Sequence, residues 1–351
     1  MTSQFINTDI QSETGFRAWH FQQPQLGNIS VLLEQGGGEQ RSVLDSDQMS
    51  LVAEFNRLDH NHLSLRNWHV AARREDTRIS RLALLIVLDL VFAQNPDVEA
   101  IRMGQGIDVL LPAQLLTADS LTRVSFYQWP ELWLGSITAL PEPAQWTESN
   151  GVRHPVRKPQ PIGEFYRRFI SDLNKTVSFK AVDPQTDLDL FHEWMNQKRI
   201  APIWELGLPK PELEQYLLQR QQDPHIFPVF GYFDDDPFGY FELYWTPEDR
   251  LGPYYAAADF DRGVHLMVGN MRYLGTAYFN AWFSALTHFV FLDDPRTMNL
   301  MGEPRADNKA LLRHLDTIKA TRFIKEFDFP HKRAALLEIS RDRFFSQTIM
   351  P

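Results

Sequence analysis

The sequence predicts an α/β protein of two domains, and three observations support that expectation. The chain has 351 residues, which is enough for two separate hydrophobic cores. Hydrophobic residues make up 43% of it and aromatic residues 13%, as in globular proteins and unlike disordered ones. Segments with strand and helix periodicity alternate on both sides of a proline-rich stretch. We therefore expect an N-terminal α/β domain at 1–140, a linker at 141–161 and a C-terminal domain at 162–351.

The first 140 residues are expected to alternate strands and helices. The pattern predicts strands at 28–34, 98–103 and 122–129, a glycine turn at 36–38 and a helix at 80–93. The helix and strand within 80–103 echo a helix and strand in the C-terminal half, but no glycine loop precedes the first helix. Two interpretations stay open: a degenerate copy of the C-terminal half that has lost its ligand loop, or an unrelated supporting domain.

The linker is predicted from its prolines. Five of them lie between residues 141 and 161, and such a stretch cannot continue a helix or a central strand. It also contains Arg153, His154, Arg157 and Lys158, for which phosphate contacts are an alternative. The pattern favours a solvated linker.

The C-terminal domain carries the pattern of a longer α/β unit. Leu188, Phe191, Trp194 and Met195 have the spacing of one helix face, and Pro211 suits the first position of a second helix. The expected strands are 176–182, 226–233, 237–245, 263–269, 297–303, 322–327 and 334–339, and the expected helices are 187–197, 211–222, one from 279 and one from 308 to 314.

The strongest functional signal lies at 263–308. A strand is followed there by a loop of the form Arg272-x-x-Gly275-x-Ala277 and then by an aromatic-rich helix. The first turn of a helix presents free N–H groups and the positive end of the helix dipole. Small residues let a ligand approach that backbone, so the loop predicts a pyrophosphate site at Arg272, Gly275, Thr276 and Ala277.

Five motifs in one order give a more specific indication. They are FHEWMN at 191–196, FGYFELYW at 238–245, FDRGVHLMVG at 260–269, EPRADN at 303–308 and KEFDFPHKR at 325–333. Together they resemble the siderophore branch of the GNAT acyltransferases, over roughly residues 160–340. The loop resembles the acetyl-CoA loop of that family, and the element order is that of a complete GNAT domain. Some members carry a degenerate GNAT-like half at the N-terminus, which is one of the two interpretations given above.

The resemblance implies that an acyl group is transferred from acyl-CoA to the nitrogen of an N-hydroxylated amine, giving a hydroxamate. Acetyl-CoA and N6-hydroxylysine are the leading pair. One alternative is N-hydroxycadaverine or N-hydroxyputrescine with acetyl- or succinyl-CoA. A second is a non-catalytic GNAT-like binding module. No metal is needed for this reaction, and the histidines lack metal-ligand spacing.

The resemblance also assigns site residues. It places His265 and Glu303 at the acceptor, with His265 as general base and Glu303 either orienting it or binding the acceptor hydroxyl. Asn308 caps a helix and is expected at the pantetheine arm. His192, Asn196 and Arg262 are the candidates for acceptor binding. The alternatives are structural roles: His265 as a core histidine, Glu303 as an ion-pair partner and Arg272 as a solvated arginine. For His331, Lys332 and Arg333 two interpretations stay open, binding of the carboxylate of an acidic acyl group or acceptor, or a charged hairpin turn.

Composition and charge exclude other classes of function. The net charge of −10 argues against an extended nucleic-acid surface. The absence of cysteine excludes disulfides and thiolate sites and fits a reducing cytosol, so a cytoplasmic location is expected. No signal peptide is recognisable, and the longest apolar run, 82–93, is too short to span a membrane. The expected partners are the hydroxylated amine and acyl-CoA, and a homodimer stays an open alternative.

Overall fold

Two eight-stranded sheets, one in each half of the chain, form the framework of the protein. The computed structural model describes residues 15–72, 76–135, 144–149, 151–348 and 350. The chain divides into an N-terminal unit, Met1–Leu132, and a C-terminal unit, Trp133–Pro351. The division therefore falls ahead of the proline-rich stretch.

Within its described residues, the N-terminal unit contains eight strands and two α-helices. In chain order these are β1 (Phe16–Gln23), β2 (Gly27–Gly36), β3 (Glu39–Ser46), β4 (Met49–Arg57), β5 (His62–Ala72), α1 (Thr77–Gln94), β6 (Ala100–Arg102), β7 (Leu116–Thr117), β8 (Ser120–Thr122) and α2 (Arg123–Tyr127). The strand order in the sheet is β1-β2-β3-β4-β5-β6-β8-β7. The first five strands form an antiparallel meander, and α1 then crosses to place β6 parallel to β5.

One side of this sheet forms the core of the N-terminal unit. Met49, Leu51, Ala53 and Phe55 alternate along β4 and are all buried, as expected for a strand with one face covered. The residues between them are only partly buried. Helix α1 packs on β3 and β4 and is buried from Leu82 to Phe92.

Residues 122–129 do not form the predicted strand. β8 ends at Thr122, whose hydroxyl accepts a hydrogen bond from the backbone N–H of Ser125 and so starts α2. Phe126 and Tyr127 on this helix are buried, and their rings contact Phe92 of α1. Aromatic packing therefore outweighs the strand propensity of these residues. The predicted strands at 28–34 and 98–103 and the helix at 80–93 are confirmed as β2, a shorter β6 and α1.

In the part of the C-terminal unit that the structure describes there are ten strands and six α-helices. They are β9 (Trp146–Ser149), β10 (Val152–Pro155), β11 (Glu164–Ile170), β12 (Lys175–Ala181), α3 (Pro184–Met195), α4 (Ala201–Trp204), α5 (Lys210–Gln222), β13 (Ile226–Phe233), β14 (Asp236–Trp245), β15 (Arg262–Val268), α6 (Thr276–Asp293), β16 (Asn299–Gly302), α7 (Lys309–Asp316), β17 (Thr321–Asp328), β18 (Arg333–Ser340) and α8 (Arg341–Gln347). All eleven predicted elements of this half are confirmed, with bounds shifted by a few residues. β11, the hairpin of β9 and β10, α4 and α8 were not predicted.

The large sheet of the C-terminal unit has the same strand order as that of the N-terminal unit. Its order is β11-β12-β13-β14-β15-β16-β18-β17. In both sheets the fifth and sixth strands are parallel and are joined by a helix of 18 residues, α1 or α6. The helices α3 to α5 between β12 and β13 have no counterpart between β2 and β3. The N-terminal unit is thus a topological copy of the C-terminal sheet without these helices.

β15 and β16 separate soon after they meet. Their pairing is limited to Arg262 with Leu300 and Gly263 with Met301, whereas β14 pairs with β15 along its full length. Beyond Gly263, β15 therefore has no strand beside it on the β16 side among the described residues. This divergence opens a cleft in the sheet next to the start of α6.

The residues expected to form a solvated linker are instead held against the C-terminal unit. Arg157 is buried, and its Nε lies 2.6 Å from Oε1 of Glu248. Lys158 pairs with Asp293, and the side-chain amide of Gln160 donates to three backbone carbonyls. Residues 141–143 and 150 of the expected linker lie outside the described residues. In the described part of the chain no helix is long and apolar enough to cross a membrane.

Candidate active site

A cavity of about 910 Å³ lies in the C-terminal unit where β15 and β16 diverge. Its wall is formed by side chains from α4, α5, β14 and β15, from the start of α6, from the segment after β16, from α7 and from the turn before β18. The wall is apolar over most of its area, with a few charged groups. Three of these groups, Glu242, Glu303 and Arg250, lie within 3.2 Å of His265.

His265 lies between two buried carboxylates. Its Nδ1 is 3.0 Å from Oε2 of Glu242, and its Nε2 is 3.2 Å from Oε1 of Glu303. The strand register produces the first contact, because Glu242 on β14 is directly opposite His265 on β15. The second arises because Glu303 follows β16 immediately. The ring of Tyr244 packs against the imidazole at a centroid distance of 4.7 Å.

Glu242 is fully enclosed and accepts hydrogen bonds through both oxygens. Oε1 accepts from the hydroxyl of Tyr216 on α5 and from that of Tyr240, the latter at 2.9 Å. The guanidinium of Arg220 lies 3.5 Å from the same oxygen. Glu242 is only 2% exposed, so these donors replace the water that a buried carboxylate loses.

Glu303 is held on its other side by two cations. Lys332 donates to the backbone carbonyl of Glu303 at 2.7 Å and lies 3.2 Å from Oε2. Arg250 Nη2 lies 3.1 Å from Oε1 of Glu303 and 3.2 Å from Nε2 of His265. The carboxylate and the imidazole therefore share a set of charged neighbours on the cavity wall.

These contacts determine the protonation states of Glu303 and His265. Burial by itself would raise the pKa of Glu303, but the hydrogen bond from His265 and the charges of Lys332 and Arg250 lower it to about 2. Burial by itself would lower the pKa of His265, but the hydrogen bonds to Glu242 and Glu303 outweigh it and raise the pKa to about 9. At neutral pH the ring is thus an imidazolium between two carboxylates. It becomes a base only when it loses its proton.

The start of α6 forms another part of the site. Gly275 precedes the helix with φ 110° and ψ 161°, a conformation that is open almost only to glycine. It has no side chain to accept from the first backbone amides, so their N–H groups stay free for a ligand. Thr276 and Ala277, the first helical residues, are exposed. Gly275 itself belongs to the cavity wall.

The remaining residues of the predicted cofactor site lie close by. Arg272 is exposed on the turn before Gly275, and its Nη2 pairs with Asp236 at 2.7 Å. Asn308 lines the cavity and caps α7, its side chain accepting from the N–H of Leu311 at 3.1 Å. The helix-cap prediction for Asn308 is confirmed.

Three predicted acceptor-binding residues are not on the cavity wall. Arg262 is buried below it, with Nη1 3.0 Å from Asp293 Oδ2 and its guanidinium over the ring of Trp245. His192 and Asn196 lie at the end of α3, where the amide of Asn196 donates to the backbone carbonyl of His192. The structure therefore gives Arg262 and Asn196 internal bonding roles.

Glu242, Arg250 and Lys332 are the site residues that sequence reasoning did not select. Glu242 had a signal, because it is the one charged residue in the apolar run FGYFELYW. A charge in a strand that is buried on both faces must be paired. Arg250 had none, since it lies in a loop. Lys332 lies in the segment 331–333, for which the sequence left open both a carboxylate contact and a charged turn.

Among the residues that the structure describes, no group of three or more metal-ligating side chains could hold a metal ion. What the arrangement offers instead is proton transfer by His265 and charge stabilisation by its neighbours. A free helix N-terminus beside it can bind an anion. A thioester carbonyl and a nucleophile brought between these two features would be set up for acyl transfer.

Comparison with known proteins shows the family to which the chain belongs. Residues 183–329 match the family described as the acetyltransferase (GNAT) domain. The chain is 36% identical to the N(6)-hydroxylysine O-acetyltransferase of Escherichia coli over 266 residues, 74% of this chain and 84% of that protein.

Two fungal relatives are similar over shorter shares of their length. One is an N(5)-hydroxyornithine:cis-anhydromevalonyl coenzyme A-N(5)-transacylase of Beauveria bassiana, 43% identical over 55% of this chain and 43% of the relative. The other is a hydroxyornithine transacylase of Ajellomyces capsulatus, 39% identical over 55% of this chain and 45% of the relative. The predicted GNAT fold is confirmed for the C-terminal half, and so is an enzyme of the acyltransferase class. The chain belongs to the GNAT acyltransferases of siderophore biosynthesis.

Proposed function

We propose that the enzyme transfers the acetyl group of acetyl-CoA to the hydroxylamine nitrogen of N6-hydroxylysine and so forms a hydroxamate. The observation that carries this proposal is His265, which lies on a cavity wall between Glu242 and Glu303 and close to a helix N-terminus. The names of the relatives, which act on hydroxylysine or hydroxyornithine, point to the same class of acceptor.

The start of α6 suits the donor. The free N–H groups after Gly275 and the positive end of an 18-residue helix favour a pyrophosphate. Arg272 can add a charge-assisted contact if it turns from Asp236 to the ligand. The unpaired edge of β15 beyond Gly263 offers backbone N–H and C=O groups to the amides of a pantetheine arm. The arm would lead the thioester towards His265.

The charges around His265 support an acceptor that carries a carboxylate. Four positive charges lie near the two negative charges of Glu242 and Glu303. They belong to Arg220, Arg250, Lys332 and the His265 imidazolium. Arg250 is the most accessible of these cations, with 48% of its side chain exposed. It can therefore bind the α-carboxylate of an amino acid. N-hydroxycadaverine has no carboxylate, so the positive charge of its one ammonium group is not balanced by a negative charge.

The reaction needs only proton transfer and positioning. The reactive form of the enzyme has a neutral His265 ring with its lone pair at Nε2. The nitrogen lone pair of the acceptor attacks the thioester carbonyl carbon, and a carbon–nitrogen bond forms while the nitrogen proton passes to Nε2 of this neutral ring. The carbon–sulfur bond then breaks, and the CoA thiolate leaves and takes up that proton. A hydroxylamine nitrogen is neutral at pH 7, so no further base is needed to free its lone pair. General-base assistance of this kind typically contributes about 10²–10⁴-fold.

Acceptor selectivity tests the proposal. Thiol release from acetyl-CoA is measured with N6-hydroxylysine and with N-hydroxycadaverine, and the amino acid is expected to be the better substrate. Arg250→Gln is expected to lower kcat/KM for hydroxylysine by about tenfold or more, because a charge-assisted contact is lost. The loss with hydroxycadaverine should be smaller.

Arg333→Gln is the matched control for this assay. Arg333 is adjacent to Lys332 but exposed, pairs with Glu326 and Asp328, and does not line the cavity. Its substitution should leave the selectivity unchanged. A preference for hydroxycadaverine would contradict the acceptor assignment. No thiol release with any hydroxylated amine would contradict acyl transfer to hydroxylamines altogether.

A further inference from the structure

Glu242 is a buried carboxylate that the reaction described above does not use. We propose, on the basis of that reaction, that Glu242 is a positioning residue: it fixes the ring of His265 through Nδ1 and sets the protonation of Nε2. Glu242 would thus act on the acceptor only through His265.

Glu242 is held rigidly. It is on β14, in the interior of the sheet, and pairs in register with His265 on β15. Tyr216 and Tyr240 donate to one of its oxygens, and His265 is 3.0 Å from the other. Rotation of the carboxylate would break bonds to two hydroxyls from different elements. The imidazole is therefore anchored to the most constrained part of the site.

Glu242 also decides the tautomer of His265. Burial would raise the pKa of Glu242, but the hydrogen bond from His265 and the charges of His265 and Arg220 lower it to about 2. An ionised carboxylate only accepts hydrogen bonds, so Nδ1 of His265 must carry a hydrogen. Nε2 faces the ionised Glu303 at 3.2 Å, but it also lies 3.2 Å from Nη2 of Arg250, which can only donate. When the ring is neutral, its lone pair is therefore at Nε2, where it accepts from Arg250.

The charged groups that face the ring come from four places. Glu242 lies on β14, Glu303 follows β16, Arg250 lies in the loop after β14, and Lys332 reaches Glu303 from the turn before β18. Behind Glu242, α5 contributes Tyr216 and Arg220. Only the two carboxylates contact the imidazole directly as opposite charges, so removal of either should ease the loss of its proton.

The pH profile of the Glu242→Gln variant tests the proposal. In the wild type, kcat/KM for the hydroxylated amine should rise with pH as His265 loses its proton. In Glu242→Gln the apparent pKa of this rise should fall by about 1–3 pH units, since one carboxylate in contact is lost. The plateau at high pH should also drop, because the ring is no longer fixed. A lower rate with an unmoved profile would overturn the proposal.

Two further variants separate positioning from a general loss of structure. Tyr216→Phe removes one hydroxyl donor from Glu242 without changing any charge, so the profile should stay or move to higher pH. Glu242→Asp keeps the charge but shortens the side chain, so it should reduce the rate and leave the profile near that of the wild type. A profile for Glu242→Asp that moves down like that of Glu242→Gln would contradict a charge effect.

A titration of the free protein needs no substrate and thus stands apart from the proposed activity. The chain has eleven histidines, and the signals of His265 can be assigned by their loss in His265→Gln. The NMR titration of this ring should move to lower pH in Glu242→Gln. If it moves while no acceptor is turned over, the assignment of the activity is wrong and the role of Glu242 stands. If it does not move, the role of Glu242 is wrong.

Discussion

At the scale of single residues, His265 shows how neighbours can reverse the effect of burial. A buried histidine usually becomes neutral, because its charged form loses water. Here two carboxylates within 3.2 Å more than compensate, and the pKa rises to about 9. The raised pKa has a second consequence, for the stability of the fold. The proton on His265 binds more tightly in the folded state than in the unfolded one.

The raised pKa of His265 determines how the stability of the fold depends on pH. The contribution of the imidazolium is fully present below about pH 6.5 and is lost as the pH rises through about 9. His265→Gln lacks the proton at every pH. The difference in unfolding free energy between wild type and variant should therefore shrink by roughly 2–3 kcal/mol between these limits. Urea denaturation at a series of pH values measures it, and parallel curves would rule the effect out.

The sequence predicted only two of the residues in the charged cluster around His265, namely His265 itself and Glu303. Residue spacing placed His265 on a strand and Glu303 at the end of the next strand, and both predictions of position agree with the structure. Glu242 is 23 residues before His265, and only the register of β14 and β15 brings them together. Arg250 comes from a loop whose path no periodicity predicts. Local sequence patterns therefore could not predict contacts between charged residues that only the pairing of strands or the path of a loop brings together.

At the scale of elements, the two long helices differ in what satisfies their first turn. At α1 the carboxylate of Asp76 accepts from the N–H groups of Arg78 and Ile79, at 2.9 and 3.3 Å. At α6 the equivalent position is Gly275, which offers no acceptor. The first helix is thus capped by its own chain, whereas the second has no side-chain cap, as the proposed donor site requires. On the interpretation of the N-terminal half as a degenerate copy, the loss of its ligand loop would take this form.

Gly275→Ala tests whether the backbone conformation at this position requires glycine. The new Cβ would meet no atom within 4 Å, so the cost comes from the backbone conformation alone. We expect about 1–3 kcal/mol of lost stability, and weaker binding of acetyl-CoA as the helix start shifts. Urea denaturation and calorimetric titration measure the two effects.

Gly36→Ala is the control for Gly275→Ala. Gly36 also has no atom within 4 Å of its added Cβ, but its φ is not in the left-handed region. Its substitution should change the stability by about 0.5 kcal/mol or less. Equal effects of the two alanines would show that the conformation of Gly275 is not under strain.

At the scale of the whole molecule, one strand order occurs twice. The sequence predicted seven of the eight strands of the C-terminal copy and missed β11, because most of these buried strands are apolar runs. In the N-terminal copy it missed β1, β3, β4, β5, β7 and β8, which are very short or mix polar and apolar residues without a clear boundary to their turns. The repeat became visible only through the pairing of strands.

The two copies should respond differently to the donor. Acetyl-CoA is expected to bind once per chain and to slow hydrogen exchange at the first turn of α6 and along β15. The N–H groups of Arg78 and Ile79 in α1 should be unaffected, because Asp76 already bonds them. Hydrogen-exchange mass spectrometry and calorimetric titration provide the measurement. Two equivalents bound, or protection at α1, would contradict a single donor site.

The short pairing of β15 with β16 also bears on how the protein can release what it has made. Two residue pairs join these strands, whereas seven join β14 to β15. Fluctuations of the sheet should therefore be largest along this seam, where the fewest hydrogen bonds resist them. Transient separation of β15 and β16 can widen the exit for CoA and the hydroxamate while the antiparallel strand pairs on either side stay intact.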